Sequence, residues 1–362
     1  MIDRDLQAEA SMHTLLLRLA GTMPDDLLKD ARTWLAGGRR ADVARSVTFA
    51  ALSQPMPMGS DEIDLLRKEL MAAKASEDLV SALEEVRGER PNPTALFRSA
   101  LVNTEEAVLP VDLTGGPDTE WDAVDRAVVD RARDTEGVRA VWRSWRMPHV
   151  AKPWAEPIRV FVVSVEESVE SLPRLAVMLR EVAAAAGDEE AQIEVCWLGL
   201  DAPYYQTLAR SCGALLWAVR SAAPIETAQV FDGVHPERGP WFTSNRPMLA
   251  DKATREQLVA RLRAAPIVSW CSTDMTDVLD PQRGAVVPLH LRSDGNWIWS
   301  DAVAYYVEQH HLEPDQGLMA HLSGPAGREP LDEISLHRVL AYLSQPTPED
   351  VVWQVPAAVT PQ

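Results

Sequence analysis

Residues 158–198 run IRVFVVSV-EESVES-LPRLAVMLREVAAAA-GDEEAQ-IEVCWL, and their reading decides the fold. The first block, 158–165, is rich in β-branched residues and reads as a strand. Apolar residues recur at helical spacing over 172–186, and 193–198 is strand-like again. A similar order of events precedes it, with a strand at 107–113, a helix at 119–133 and a strand at 138–145. The two β-α-β passages start about 50 residues apart, and each second strand carries tryptophan, Trp142 and Trp145 in one and Trp197 in the other. They read as a degenerate tandem duplication. A helix at 204–210 and a strand at 214–219 extend the second copy. The alternation predicts an open α/β sheet with helices on at least one face.

Working outward, residues 1–95 predict a helical bundle. Pro24 and the acids Asp25 and Asp26 open one helix and Gly37-Gly38 stops it, while Ser60 and Ser76 are N-cap candidates for two more. Nothing polar converges in this region, and Arg90-Pro91-Asn92-Pro93 reads as a linker into the tandem α/β domain, 105–235. From 236 to 362 the pattern predicts a Trp-rich α+β module with an acidic tail: a helix at 254–263, a short strand at 266–270, and a hairpin over 286–299 turning on Asp294-Gly295. Helices at 301–310 and 332–343 and an edge strand at 351–355 follow. The fold class is α/β in its centre and α+β overall.

Charge and cysteine usage narrow the function classes. The 362 residues hold 54 acids against 35 bases, a net charge of −19, which is the wrong sign for neutralising phosphates or an anionic membrane surface. The longest run without Asp, Glu, Lys or Arg is 15 residues, 46–60, interrupted by Pro55 and Pro57, so no membrane span is expected. The N-terminus, Met-Ile-Asp-Arg-Asp, is acidic where a secretory signal is basic, which predicts a cytoplasmic protein. Cys196, Cys212 and Cys271 form no CxxC pair and are expected to be reduced.

No phosphate loop, dinucleotide fingerprint, nucleophile elbow or HExxH is present, so no catalytic residue, metal site or cofactor is assigned. If a ligand site exists in the sheet, it belongs at the carboxyl ends of the strands, where Thr114, Gly115, Gly116, Ser164 and Glu166 are the candidates. The hairpin offers a second place. With Asp294-Gly295 as a two-residue turn, Arg292 faces Trp297 and His290 faces Trp299, forming an aromatic and cationic side opposite Leu289, Leu291 and Ile298. Trp and Arg are hot-spot residues at interfaces. The following helix, with Tyr305 and Tyr306, is the better-suited cover for the tryptophans, which places at least Trp297 in the core and any interface on the acidic helices beyond.

The cadence SDGNWIWSDAVAYYV at 293–307 with HHLEPD at 310–315 resembles a module of uncharacterised actinobacterial-type proteins, over about 60 residues. Some of those accompany secreted-toxin systems, so the resemblance implies a bacterial cytoplasm and an immunity or adaptor role. The expected function is a non-catalytic acidic binding protein whose protein partner carries a basic surface. The alternative is an enzyme or small-molecule-binding protein with its site at the strand ends. The sequence leaves the oligomeric state open.

Overall fold

The computed structural model describes residues 2–101, 109–115, 121–148, 154–167, 169, 171–199, 201–324 and 330–345. The class is α+β with a group of N-terminal helices. The chain divides into two compact units, Met1–Ser221 and Ala222–Gln362. The N-terminal helices fall in the same unit as the α/β sheet, and the second unit begins at Ala222.

The first unit opens with α1 (Ile2–Leu19), α2 (Asp25–Ala36), α3 (Arg40–Ser53), α4 (Ser60–Ala72), α5 (Glu77–Ala82) and a 3-10 turn at Leu83–Val86. Pro24 caps α2, Asp25 and Asp26 fill its first turn, and Gly38 leaves it at φ +74, as carboxylates near a positive helix end and a left-handed exit require. The cap of α4 is Gly59 rather than Ser60, and the Gly59 N–H donates to Glu62 Oε2 at 3.0 Å.

The sheet follows: β1 (Phe97–Arg98), β2 (Val111–Asp112), α6 (Ala123–Arg133), β3 (Val138–Arg146), β4 (Ile158–Val165), α7 (Leu172–Ala185), β5 (Gln192–Trp197), α8 (Tyr204–Ser211) and β6 (Ala214–Ala218). Its order is β2-β6-β3-β4-β5, with β1 also paired to β3. β4 and β5 are parallel neighbours joined by α7, the unit read from 158–198. The upstream passage is different. β2 pairs with β6, and β3 runs antiparallel to both β6 and β4. The duplication read from the sequence is therefore not a spatial repeat. Alternation of elements along a chain carries no strand direction, and β3 and β4, nine and eight residues long, form their long ladder antiparallel.

α6 and α7 cover one face through Val141, Phe161, Val163, Ile193 and Val195. α6 is pinned by charge: Asp125, fully buried, accepts from Arg143 at 2.5 Å and Arg159 at 2.7 Å. α8 packs on β3 and β4 from the other side, its Arg210 guanidinium 5.6 Å from the buried Trp142 ring. The open edge of β5 is closed by the N-terminal helices. His13 Nε2 donates to Val195 O at 2.8 Å and Arg32 Nη1 to Ile193 O at 3.1 Å, occupying carbonyls that would otherwise template another strand. Arg32 also pairs with buried Glu194 at 2.6 Å, and Gln206 Nε2 of α8 donates to the same carboxylate at 2.7 Å. Burial lowers the His13 pKa to about 4, so its ring is neutral and the proton sits on the nitrogen facing the carbonyl.

The second unit contains β7 (Glu226–Thr227), β8 (Gly233–His235), β9 (Gly239–Trp241), α9 (Lys252–Ala264), β10 (Ile267–Ser269), β11 (Met275–Thr276), β12 (Ala285–Val287), β13 (Leu291–Ser293), β14 (Trp297–Ser300), α10 (Asp301–His310), α11 (Gln316–Ser323) and α12 (Glu333–Leu343). Its main sheet has the order β10-β13-β14-β7. The expected edge strand at 351–355 lies outside the described residues. The hairpin forms, but in a different register: Ser293 pairs with Ile298 and Arg292 with Trp299. Asp294 Oδ1 accepts from the N–H groups of Asn296 and Trp297, and Gly295 stands at φ +98, which widens the two-residue turn into a four-residue loop. A shift of two residues leaves the faces unchanged, so Arg292 and Trp299 still share a side.

Candidate functional site

The hairpin side chains proposed for partner binding are engaged inside the second unit. Arg292 Nε donates to Asp301 at 2.6 Å, and its Nη1 donates to the carbonyls of Arg263 and Ala265. Trp299 is 1% exposed and its Nε1 donates to Leu262 O at 3.1 Å. Trp297 is half-buried and stacks on His321. His290 accepts from the Cys271 N–H and packs edge-on against Trp270, which is itself 76% exposed. The cover for Trp297 and Trp299 differs from the expected Tyr305 and Tyr306. α9, α10 and α11 supply the neighbours of Trp299, whereas the tyrosines belong to a separate cluster with Met275, Val287 and Leu312.

Among the described residues, most acids of the C-terminal tail are used within the fold. Asp301 holds Arg292, Glu308 holds Arg263 at 2.8 Å, Asp315 and Asp332 cap α11 and α12, and Glu333 is buried. The histidines are similarly placed. His310 Nε2 lies 2.6 Å from Asp277 Oδ2, and His321 Nε2 lies 2.5 Å from Asp294 Oδ2. Fully buried Asp277 also receives the Tyr305 hydroxyl and the Leu279 and Asp280 N–H groups. Burial opposes its ionisation, but the bonds from His310, Leu279 and Tyr305 outweigh it and hold its pKa below the ordinary carboxylate value. Among the described residues no group of three His, Cys, Asp or Glu is arranged to hold a metal ion. None of the described helices is long and apolar enough to cross a membrane.

The strand-end candidates do not meet. Thr114 donates to Asp112 at 2.7 Å in a local turn, and Gly116 lies outside the described residues. Ser164 is fully buried within β4, and Glu166 pairs with Arg139 at 3.1 Å. Thr114 and Glu166 follow strands three positions apart in the sheet, about 14 Å at ~4.8 Å per spacing. The chain leaves β4 for β5 on one side and then crosses to β6 on the other, so a crevice would open between β4 and β6. Antiparallel β3 occupies that position, and the Glu166 N–H donates to Gly137 O at 2.8 Å just before β3 begins.

A cavity of the first unit, about 570 Å³, lies elsewhere. Its walls are Arg18 at the end of α1, Gly59–Glu62 at the start of α4, residues 88–93, and Pro203, Tyr204 and Tyr205 at the start of α8. The supposed linker builds this cleft. Arg90 clamps Glu62 with bonds of 2.7 and 3.2 Å and donates to Pro57 O at 3.1 Å. Arg87 donates to Ser60 Oγ at 2.6 Å, and the Gly88 N–H donates to Met58 O. Tyr205 forms the floor, edge-on to Phe97 at 5.1 Å, with Arg146 donating to its hydroxyl at 3.1 Å. Burial pushes its phenol far above the ordinary range, so it stays protonated. Gly21, at φ +77, lets this ring come close, since a Cβ there would stand 2.7 Å from it.

With Glu62 neutralised by Arg90, the charged and aromatic side chains that remain available at the cleft are Arg18, Asp61, Glu89 and Tyr204. All four are exposed, and none has a hydrogen-bond or ion-pair partner among the described residues. The surrounding segment 60–89 carries nine acids and four bases, placing a strong negative field beside the opening. Sequence reasoning missed the cleft because its walls come from four separated segments. The available signals were the Pro-Asn-Pro after Arg90 and the Tyr-Tyr pair after Pro203. The chain matches no family model, and neither a curated protein nor a solved structure matches it.

Proposed function

We propose that this chain is a non-catalytic binding protein, of the inhibitor or adaptor kind, whose protein partner presents a basic surface to the acidic rim of the cleft. The observation that carries the reading is the pair of carboxylates, Asp61 and Glu89, without partners among the described residues and lining a cavity of the first unit. The net charge of −19 and the acidic 60–89 segment support electrostatic steering of a basic partner. His310 pairs with Asp277, His321 with Asp294 and Arg292 with Asp301, contacts within the second unit that a role without chemistry accommodates. Three unbridged cysteines fit a cytoplasmic setting. The resemblance of 293–315 to toxin-associated modules fits an immunity role.

The immobilised protein, exposed to lysate of its own organism, should retain a partner at low salt and release it at high salt. The Asp61→Lys/Glu89→Lys double variant should retain none. Retention that ignores both salt and charge reversal would sink the reading.

A further inference from the structure

We infer that the second unit carries two acid-released latches, the imidazoles of His235 and His290, each holding a backbone segment beside an exposed tryptophan. Which side of the hydrogen bond a ring takes is fixed by its partner. His235 Nδ1 lies 3.1 Å from the Glu237 backbone nitrogen and 3.3 Å from that of Arg238. His290 Nδ1 lies 3.2 Å from the backbone nitrogen of Cys271. A backbone N–H can only donate, so in both rings Nδ1 is the bare, accepting nitrogen and the proton of the neutral imidazole sits on Nε2. Protonating Nδ1 removes the acceptor and turns one N–H towards another. His310 and His321 are the internal contrast. Their Nε2 atoms face carboxylate oxygens of Asp277 and Asp294 at 2.6 and 2.5 Å, so these rings donate, and protonation adds charge to bonds that already exist. Acid therefore opens one pair of contacts and tightens the other.

What each latch holds is small and exposed. His235 ends β8, faces Gly239 across the ladder and closes the loop to β9. These two strands form a sheet of their own, with Trp241, 45% exposed, packed against Gly233. The charged groups here are Glu237 and Arg238 of the loop itself and Asp232 before β8, which is held by Thr243 and Arg246. His290 precedes β13, and its ring stands edge-on to Trp270, 76% exposed, with centroids 4.3 Å apart. Arg292 on the same strand is paired with Asp301 of α10 at 2.6 Å. Asp274, Asp280 and Arg283 lie along the chain between β10 and β12, and Asp277 there is committed to His310. α12, which packs on β10, brings Glu333, His337 and Arg338. Among the described residues no carboxylate bonds the His235 or His290 ring, so no ion pair offsets the bond lost on protonation. The latches are closed while the rings are neutral and open as pH falls through the histidine range, which changes how the second unit presents Trp241 and Trp270.

NMR of the full chain, titrated from about pH 8 to about pH 5 across the ordinary histidine range, tests this. At the alkaline end the imidazole nitrogen shifts should show both rings protonated on Nε2 and bare on Nδ1. As each ring takes up its second proton, the amide signals of Glu237 and Arg238 should move with the His235 midpoint and that of Cys271 with the His290 midpoint. Their temperature coefficients should change to those of unbonded amides. The Asn296 and Trp297 amides, which bond the Asp294 carboxylate, should keep bonded coefficients throughout and so exclude general unfolding. His235→Asn supplies an acceptor oxygen that does not titrate, so Glu237 and Arg238 should stay bonded at the acid end, whereas His235→Ala should lose the bonds at both ends. His235 is exposed, so folding is not at stake in these variants. A neutral ring protonated on Nδ1 in either histidine, amides that remain bonded when their ring is charged, or release of Asn296 and Trp297 at the same pH each overturns the inference.

Discussion

Stability between pH 6.5 and 5 should depend on one buried imidazole, His13. Its pKa is lowered from 6.5 to about 4 in the folded chain, mainly by burial, with Arg32 adding to the lowering against the bond to Val195 O. The unfolded chain therefore binds the proton more readily. The stability linked to this ring is complete above about pH 6.5, declines as pH falls, and stops declining below about pH 4. The difference of about 2.5 pH units corresponds to roughly 3 kcal/mol over the whole window, and to about 2 kcal/mol between pH 6.5 and 5. His13→Gln keeps an amide donor for Val195 O but does not titrate. Urea unfolding of both proteins, with hydrogen exchange of the β4 and β5 amides assigning the transition to the first unit, measures the effect. The other seven histidines contribute equally to both proteins and cancel in the comparison. The wild-type minus variant stability should fall by about 2 kcal/mol from pH 6.5 to 5. Parallel pH profiles would refute the idea that a neutral His13 closes the sheet edge.

Other outcomes follow from burial and geometry. Glu194→Ala should destabilise by about 3–5 kcal/mol because it strands buried Arg32, and Arg32→Met/Glu194→Leu should recover much of that in denaturant titrations. Trp299→Ala should cost about 3–5 kcal/mol, and Trp297→Ala, half-buried, about half as much; similar losses for both would contradict the hairpin packing. Gly21→Ala should lower the melting temperature, since it adds about 1–2 kcal/mol of left-handed strain and a clash with Tyr205; an unchanged melting curve would refute the cleft floor. Under native conditions a thiol reagent should reach Cys196, buried in β5, last of the three cysteines, and mass spectrometry can order them.

Much of the local architecture was present in the sequence. The strand-helix-strand at 158–198, the stops at Gly37-Gly38, the Ser76 cap and the hairpin at Asp294-Gly295 rest on periodicity and turn chemistry, which act over a few residues. The α+β class followed from them. Strand direction did not, because β3 owes its antiparallel place to a ladder with β4 that element order does not encode. The hairpin register also escaped, since the Asp294 side chain competes with backbone pairing at the turn.

Composition along the chain determined the charge balance and the cysteine count. Only tertiary structure decided which charges are free. Asp301, Glu308 and Asp332 look like an acidic surface in sequence, yet they serve as an ion-pair partner of Arg292, an ion-pair partner of Arg263 and a helix cap. Asp61 and Glu89 look no different in sequence and are left without partners beside a cavity. A carboxylate's availability depends on whether a distant segment delivers a donor to it. Arg90 reaches Glu62 across 28 positions and Arg32 reaches Glu194 across 162, separations at which local pattern carries no signal.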